Sequence, residues 1–296
     1  MNAPAFTDVG LSTQPIRLGL FCRSDSQSPT RHPEVRVNTP AFTDAGPRGE
    51  AVVVFLHGVG GGRHGWAAQQ VHVAALGWRS LAWDMPGYGD SPMVTPYDFA
   101  HLAQALWQML DAAHIDQAVL VGHSMGAMVA LQAWTQKPER IRGLLLAASS
   151  PAFGNSDGDF QKQFLAQRLA PLEAGKTMGD IADKLIPTMA APGGDAAQLI
   201  PAHQSMAAVP PTTYRAALHA LVQFEQRAAL STLTVPVLCL AAAHDRTAPP
   251  SVMERMAQKI PGARYACLAG AGHLLHYEQP EAFNAELEKF LKDVKP

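Results

Sequence analysis

The feature that most constrains this chain is a repeated alternation of short apolar runs, glycine-rich turns and helical segments. Residues 51–56 form a continuous apolar and β-branched run, which ends in a glycine-rich turn at residues 57–62. A predicted helix over residues 66–76 and a second apolar run at residues 80–83 follow. Continuous runs of this length are typical of strands that are covered on both faces. The alternation therefore predicts a parallel sheet with helices on both sides.

The same alternation continues to the end of the chain, with one long interruption. Residues 151–230 contain no predicted strand, only helical stretches interrupted by prolines. Because ligands bind at the carboxyl ends of parallel strands, we expect this insertion to form a helical cap over the site. The sequence thus predicts a core of residues 1–150 plus 231–296 and a cap of residues 151–230. The remaining strands are predicted at residues 118–121, 143–148, 235–242 and 263–268, and the remaining helices at 97–114, 125–136, 251–259 and from Pro280 onward.

The first fifty residues carry the weakest pattern. Two extended segments, residues 15–23 and 33–38, are candidate edge strands separated by a polar stretch. Residues 2–10 and 38–46 share the string Pro-Ala-Phe-Thr-Asp. A single pair of copies does not make a repeat architecture, and no physical reason for the similarity is evident.

Composition narrows the choice of partner and compartment. The 296 residues carry a formal net charge of −2 and no clustered Lys or Arg stripe, which disfavours nucleic acid as a partner. No uninterrupted apolar segment approaches the ~20 residues of a membrane span, and no signal peptide is evident, so we expect a cytoplasmic protein. The odd cysteine count, Cys22, Cys239 and Cys267, fits a reducing compartment. Cys239 and Cys267 lie in apolar runs and are predicted to be buried.

The strongest chemical signal is the string Gly-His-Ser-Met-Gly at residues 122–126, with an apolar strand before it and a helix after it. This is the pattern of a nucleophile elbow, in which a serine occupies a sharp, strained turn between strand and helix. Larger side chains at the two glycines would clash with the neighbouring strand and helix. Ser124 is therefore predicted to be the nucleophile.

A serine nucleophile needs a base and a residue that orients the base. His273 follows the last predicted strand in a glycine-rich loop and is the predicted base, with His276 as the rival candidate. Asp245, the first carboxylate after the strand at 235–242, is predicted to orient it, in the chain order Ser, acid, His. Asp84 also ends a strand, but the Pro-Gly-Tyr-Gly that follows favours a structural turn there.

Acyl transfer also needs backbone donors for the developing oxyanion. We expect these to be the N–H groups of Met125 and Val59. The glycine-rich turn that contains Val59 does not end in the Gly-Lys-Ser/Thr of a Walker phosphate-binding loop. It also lacks the glycine spacing of a dinucleotide-binding motif, so no bound nucleotide is predicted. The histidines show no metal-ligand spacing, and neither a metal nor another cofactor is expected. His57 and His123 are interpreted as hydrogen-bonded structural imidazoles.

With these residues placed, residues 50–293 resemble the α/β-hydrolase superfamily. The resemblance implies an α/β-hydrolase fold, a mostly parallel eight-stranded sheet flanked by helices, with a helical cap. Within the superfamily the chain looks most like 3-oxoadipate enol-lactonases and related small-ester hydrolases, although its N-terminal extension and the Arg at position 246 depart from that pattern. Serine at the elbow argues against haloalkane dehalogenases and epoxide hydrolases, which use aspartate there. The marks of the superfamily are His57-Gly58, the Asp-Met-Pro-Gly-Tyr-Gly-Asp-Ser at residues 84–91, the elbow, the Pro-Glu-Arg-Ile at residues 138–141, Asp245 and Gly272-His273.

The predicted function is hydrolysis of a small carboxylic ester or lactone through an acyl-enzyme. Two alternatives remain. The first is another reaction on the same fold, namely carbon–carbon bond hydrolysis or a lyase or cofactor-free oxygenase reaction. The second is a non-catalytic receptor for a small molecule. The substrate is a small molecule whose binding residues are not predicted, and neither is the oligomeric state. Arg168, Arg215 and Arg227 are candidates to meet a substrate carboxylate, but solvated surface positions are expected for each.

Overall fold

The computed structural model describes residues 39–49, 51–154 and 158–294, which contain one seven-stranded sheet. The strand order is β1-β3-β2-β4-β5-β6-β7, in which β1 is antiparallel to β3 and every other pair is parallel. The predicted α/β-hydrolase architecture, a mostly parallel sheet flanked by helices, is confirmed. The strands are β1 Phe42–Ala45, β2 Val52–Leu56, β3 Arg79–Trp83, β4 Ala118–His123, β5 Ile141–Ala147, β6 Val237–Ala242 and β7 Arg264–Leu268.

Strand β1 was not among the predicted strands. It has only four residues and no apolar alternation, and it exists because it pairs with β3, from Phe42 opposite Trp83 to Ala45 opposite Ser80. The extended segments predicted at residues 15–23 and 33–38 lie outside the described residues. The described part of the chain thus supplies seven of the eight strands that the resemblance implied.

The sheet is covered on both faces, as its continuous apolar strands require. Along β2 every side chain is buried, and successive residues point to opposite sides. Val52, Val54 and Leu56 join one apolar cluster, and Val53 and Phe55 join another on the opposite face. Burial on both faces explains why these strands read as unbroken apolar runs.

Ten α-helices complete the described part of the chain. Four of them, α4 to α7, lie between β5 and β6, and in that interval the described residues contain no strand beyond a single bridge between Ala152 and Glu225. No helix among the described residues is both long and apolar enough to cross a bilayer. The helices are α1 Ala67–Ala75, α2 Phe99–Ala112, α3 Met125–Gln136, α4 Asp159–Glu173, α5 Met178–Met189, α6 Ile200–Ala207, α7 Pro211–Val222, α8 Pro250–Gln258, α9 Leu275–Glu278 and α10 Pro280–Asp293.

The two cysteines predicted to be buried differ in their surroundings. Cys239 lies in the central part of β6 and is buried, which raises the pKa of its thiol to about 12. Cys267 is exposed, so the prediction for this residue was wrong. The reason is topological, since β7 is the last strand of the sheet and pairs only with β6. An apolar run does not reveal whether its strand is central or at an edge.

Candidate active site

Ser124 occupies the sharp turn between β4 and α3. Its backbone angles, φ 53° and ψ −119°, lie in a region that residues other than glycine rarely adopt. The flanking glycines allow this turn because neighbouring backbone lies too close to them to leave room for a side chain. A Cβ atom on Gly122 would lie 2.5 Å from the backbone of Ala127, and one on Gly126 would lie 2.1 Å from the carbonyl oxygen of Leu56. The elbow therefore depends on the absence of side chains at both positions.

This close approach predicts a large cost for the variant Gly126→Ala. The added methyl would have to displace the backbone of a central strand, so we expect the free energy of unfolding to fall by about 3 kcal/mol or more. Gly179→Ala is the matched control, because its Cβ would meet nothing closer than 3.5 Å within α5. The control should gain up to about 0.5 kcal/mol through helix propensity. Urea unfolding of both variants measures the difference, and equal stability would contradict this account of the elbow.

The structure brings together the three side chains predicted to form the catalytic group. The Nε2 atom of His273 lies 3.1 Å from the hydroxyl oxygen of Ser124, and its Nδ1 atom lies 2.8 Å from a carboxylate oxygen of Asp245. Because an ionised carboxylate only accepts hydrogen bonds, Nδ1 carries the ring proton. The lone pair of Nε2 then faces the serine hydroxyl, which is the arrangement required of a general base.

Asp245 is held so that one oxygen is free for the histidine. Its Oδ1 atom accepts the N–H groups of Thr247 at 2.7 Å and Ala248 at 2.9 Å, while Oδ2 faces His273. Burial raises the pKa of this carboxyl, but the hydrogen bond and charge of His273 and the two backbone donors outweigh that effect, so the pKa is below its ordinary value. Asp245 is therefore ionised throughout the range in which an imidazole titrates.

Two further imidazoles, those of His57 and His123, lie near this group and are neutral. The Nε2 atom of His57 accepts the N–H of Met85 at 2.9 Å, so its Nδ1–H donates to the carbonyl of Gly58. The Nε2–H of His123 donates to the carbonyl oxygen of His273 at 2.7 Å. Burial lowers the pKa of His57 and lowers that of His123 to about 3. These two rings therefore add no positive charge beside the proposed base.

The two rival candidates have other contacts. The ring of His276 is buried and stacks on Trp66 with ring centres 4.3 Å apart, and it makes no hydrogen bond to Ser124. Burial places its pKa well below the ordinary value. Asp84 accepts the backbone N–H of Arg63 at 2.8 Å and forms an ion pair with the same residue at 3.2 Å. Both residues therefore serve the packing of the loops around the site.

Glu278 is a buried carboxylate that the sequence reasoning missed. Its oxygens accept the N–H groups of Gly272 and Leu274, at 3.0 and 3.1 Å, which flank His273 in the loop after β7. The same carboxylate accepts the N–H of Ala191, after α5, at 2.6 Å. The available signal was an acidic residue five positions beyond the histidine and two positions before the proline that opens the last predicted helix. Glu278 thus holds the backbone on both sides of the base.

We expect Glu278→Ala to weaken both stability and catalysis. Three buried N–H groups would lose their acceptor, and each costs about 1–3 kcal/mol, so the free energy of unfolding should fall by about 3 kcal/mol or more. A displaced His273 should also lower kcat by about 10²-fold. The exposed Glu281, in the first turn of α10, supplies the control Glu281→Ala, which should change stability by less than about 0.5 kcal/mol. A kcat that is unchanged in a folded Glu278→Ala protein would contradict the positioning role.

The two predicted oxyanion donors belong to two segments next to Ser124. Met125 is the first residue of α3, where backbone N–H groups lack partners within the helix. Val59 lies in the turn after β2 and lines the same cavity as Ser124, and its carbonyl oxygen accepts the hydroxyl of Tyr88 at 2.8 Å. Among the hydrogen bonds between described residues, neither the N–H of Val59 nor that of Met125 is a donor.

The hydroxyl of Ser124 opens into a cavity with about 800 Å³ of empty space, part of which is open to solvent. The cavity walls are mainly apolar and come from the sheet loops on one side and from the segment between β5 and β6 on the other. Arg168 lines this cavity, contrary to the expectation of a solvated surface position. Arg215 and Arg227 do lie at the surface, in ion pairs with Glu173 and Glu225.

Comparisons with known proteins agree with this geometry. A family model described as the alpha/beta hydrolase fold matches residues 51–280. A pimeloyl-[acyl-carrier protein] methyl ester esterase of Neisseria meningitidis serogroup B is 28% identical over 263 residues, which cover 81% of this chain and 92% of the relative.

Solved structures show the same likeness. An esterase from Thermogutta terrifontis with malate bound has a TM-score of 0.77 at 25% identity and covers 86% of this chain and 93% of its own. The enol-lactonase from Burkholderia xenovorans LB400 has a TM-score of 0.76 at 22% identity, with 86% and 96% covered, a likeness that concerns the fold alone. The chain belongs to the α/β-hydrolase fold family and is an enzyme of the hydrolase class.

Proposed function

We propose that this enzyme hydrolyses a small carboxylic ester or lactone through an acyl-enzyme on Ser124. The observation that carries the proposal is the continuous chain of hydrogen bonds from Asp245 through His273 to Ser124, which ends in an apolar cavity. The esterase relatives support the ester as the substrate class. Substrate acyl groups would occupy the apolar walls of the cavity.

In this mechanism His273 takes the hydroxyl proton at Nε2 while the Ser124 oxygen bonds to the substrate carbonyl carbon. The resulting imidazolium, stabilised by Asp245, donates that proton to the alcohol oxygen as the carbon–oxygen bond breaks. Water then loses a proton to the same nitrogen, attacks the acyl-enzyme and releases the acid. The proton returns to the serine oxygen, and the free enzyme is restored.

The oxyanion of each tetrahedral intermediate would accept hydrogen bonds from the N–H groups of Val59 and Met125. These groups come from different segments, one in the turn after β2 and one at the start of α3. Removing one such donor typically costs about 3 kcal/mol of transition-state stabilisation. Neither N–H group donates to another acceptor within the described part of the chain, which supports this assignment.

Residues 151–230 would act as a cap on the core formed by residues 1–150 and 231–296. Two observations support this division. Side chains of the inserted segment, Ile186, Met206 and Leu218 among them, line the cavity at Ser124. The backbone N–H of His273 also donates to the carbonyl of Met189 at 2.7 Å, which ties the insertion to the loop of the base.

A fluorophosphonate probe tests the proposal, because it bonds covalently to a serine hydroxyl that a neighbouring base activates. We expect one adduct per chain, located on Ser124 by peptide mass spectrometry, together with loss of p-nitrophenyl acetate hydrolysis. Ser150→Ala is the matched control and should still be labelled, since the Ser150 hydroxyl donates to Ala152 outside the proposed group. An unlabelled Ser124 in a protein that hydrolyses the ester would reject the mechanism. Faster cleavage of a diketone than of any ester would favour carbon–carbon bond hydrolysis instead.

A further inference from the structure

Arg168 places a cation in the wall of an otherwise mainly apolar cavity. It belongs to α4 and lines the same cavity as Ser124 and His273. Its guanidinium lies 5.4 Å from the centre of the Phe164 ring, which orients the side chain through a cation–π contact. The residue is half-buried, so its charge is only partly solvated.

The other two arginines of this segment have acidic partners. Arg215 pairs with Glu173, and Arg227 pairs with Glu225 through several hydrogen bonds. No carboxylate among the described residues pairs with Arg168 in this way. A planar guanidinium with free N–H donors matches the geometry of a carboxylate, which it can bind through two parallel hydrogen bonds. Within the described residues Arg168 is thus a cation without an acidic partner, and the anion of a ligand would complete the ion pair.

Tyr214 adds a second polar group beside this cation. Its side chain is buried on α7 and lines the same cavity as Arg168. Burial raises the pKa of the Tyr214 hydroxyl, and the charge and hydrogen bond of Arg168 only partly offset the rise. The hydroxyl is therefore protonated. It can accept a hydrogen bond from Arg168 and still donate one to an anion.

We propose that Arg168 and Tyr214 form a subsite for a carboxylate at the end of the substrate's acyl chain remote from the scissile bond. The substrates preferred by this enzyme would then be half-esters of dicarboxylic acids. This inference rests on the proposed function, since it takes Ser124 as the point of attack. The apolar walls between the two ends would hold the methylene chain, and the carboxylate would fix its direction.

The test compares charged and neutral esters of equal chain length. Monomethyl esters of the C4 to C8 dicarboxylic acids are each paired with the methyl ester of the monocarboxylic acid of the same carbon count. At one chain length or more, kcat/KM for the half-ester should exceed that of its neutral partner by at least tenfold. Arg168→Met should reduce this ratio at least tenfold, because the half-ester loses its ionic partner and the neutral ester does not. Arg168→Lys should retain part of the preference, because it keeps the charge without the planar fork.

Arg215→Met is the matched control and should leave the ratio unchanged, because Arg215 is a surface residue on the same helix as Tyr214. Neutral-ester turnover by Arg168→Met reports that the variant is folded. A wild-type ratio at or below one for all chain lengths, or a ratio that Arg168→Met does not change, would overturn the subsite.

A binding experiment separates failure of the subsite from failure of the proposed function. Adipate binding to the Ser124→Ala protein, measured by calorimetry, should weaken at least tenfold when Arg168→Met is added. If Ser124 is not labelled by the probe but this Arg168-dependent binding persists, the hydrolytic mechanism fails and the subsite stands. If Ser124 is labelled and neutral esters are hydrolysed, but Arg168→Met does not change the affinity for adipate, the subsite alone is rejected.

Discussion

Ser124→Ala is expected to lower kcat for ester hydrolysis by about 10⁵-fold or more, the scale seen when a serine nucleophile is removed from a comparable group. The variant leaves His273 and Asp245 in place, but it removes the oxygen that would bond to the acyl carbon. The small residual rate would come from backbone donors and substrate binding alone. Steady-state kinetics with p-nitrophenyl acetate measure the loss.

The matched control for this loss is again Ser150→Ala, with kcat expected within about threefold of the parent protein, since surface-type substitutions outside special sites have small effects. Alanine keeps the backbone and Cβ of the elbow and removes only one oxygen, so the unfolding midpoint of Ser124→Ala should stay close to that of the parent. A drop in kcat of less than tenfold in a folded Ser124→Ala protein would exclude the acyl-enzyme mechanism.

The second large effect is expected for Asp245→Asn, which should lower kcat by about 10⁴-fold. Oδ1 of residue 245 accepts the N–H groups of Thr247 and Ala248, so the amide oxygen of asparagine would keep that side. Its NH₂ group would then face Nδ1 of His273 and force the ring proton onto Nε2. That nitrogen could no longer accept the hydroxyl proton of Ser124. Kinetics with the same ester measure the effect.

Asp84→Asn is the control for this variant, because Asp84 is also buried and also follows a strand of the sheet. Its side chain contacts Arg63 and not His273 or Ser124. We therefore expect Asp84→Asn to lower the stability but to leave kcat within about tenfold of the parent. Equal losses of kcat in both variants would show that Asp245 does not orient His273 as a catalytic base.

The lowered pKa of Asp245 has a consequence for stability as well. Its folded-state pKa lies below the ordinary value of 3.8, so the carboxylate stabilises the folded protein above that pH. This contribution disappears as the pH falls through the folded-state pKa. The stability difference between the parent and Asp245→Asn, measured by urea unfolding, should therefore narrow below pH 3.8. A difference that stays constant to pH 2 would contradict the direction of the shift.

Much of the fold could be predicted because the central strands carry their own signal. Strands β2 and β4 are buried on both faces, so each residue is apolar or small, and the glycine-rich turns mark where they end. Strand β1 could not be predicted, because four weakly apolar residues become a strand only through pairing with β3. The exposure of Cys267 was missed for a related reason, because the residues of a strand do not show whether it lies at the centre or the edge of the sheet.

The residues of the candidate site also fall into two groups, those that the sequence predicted and those that only the structure revealed. Local strings identified Ser124, His273 and Asp245, because the elbow, the glycine-rich loop and the carboxylate after a strand each need particular residue types at fixed spacing. Their hydrogen bonds span 149 and 28 positions of the chain and exist only once the parallel strands align their carboxyl ends. Glu278 and Arg168 have no such local spacing. Whether a charged side chain faces solvent, a backbone loop or a cavity depends on packing between distant elements. The sequence thus determined the chemistry of the reacting group, while only the tertiary structure decided what holds it and what it faces.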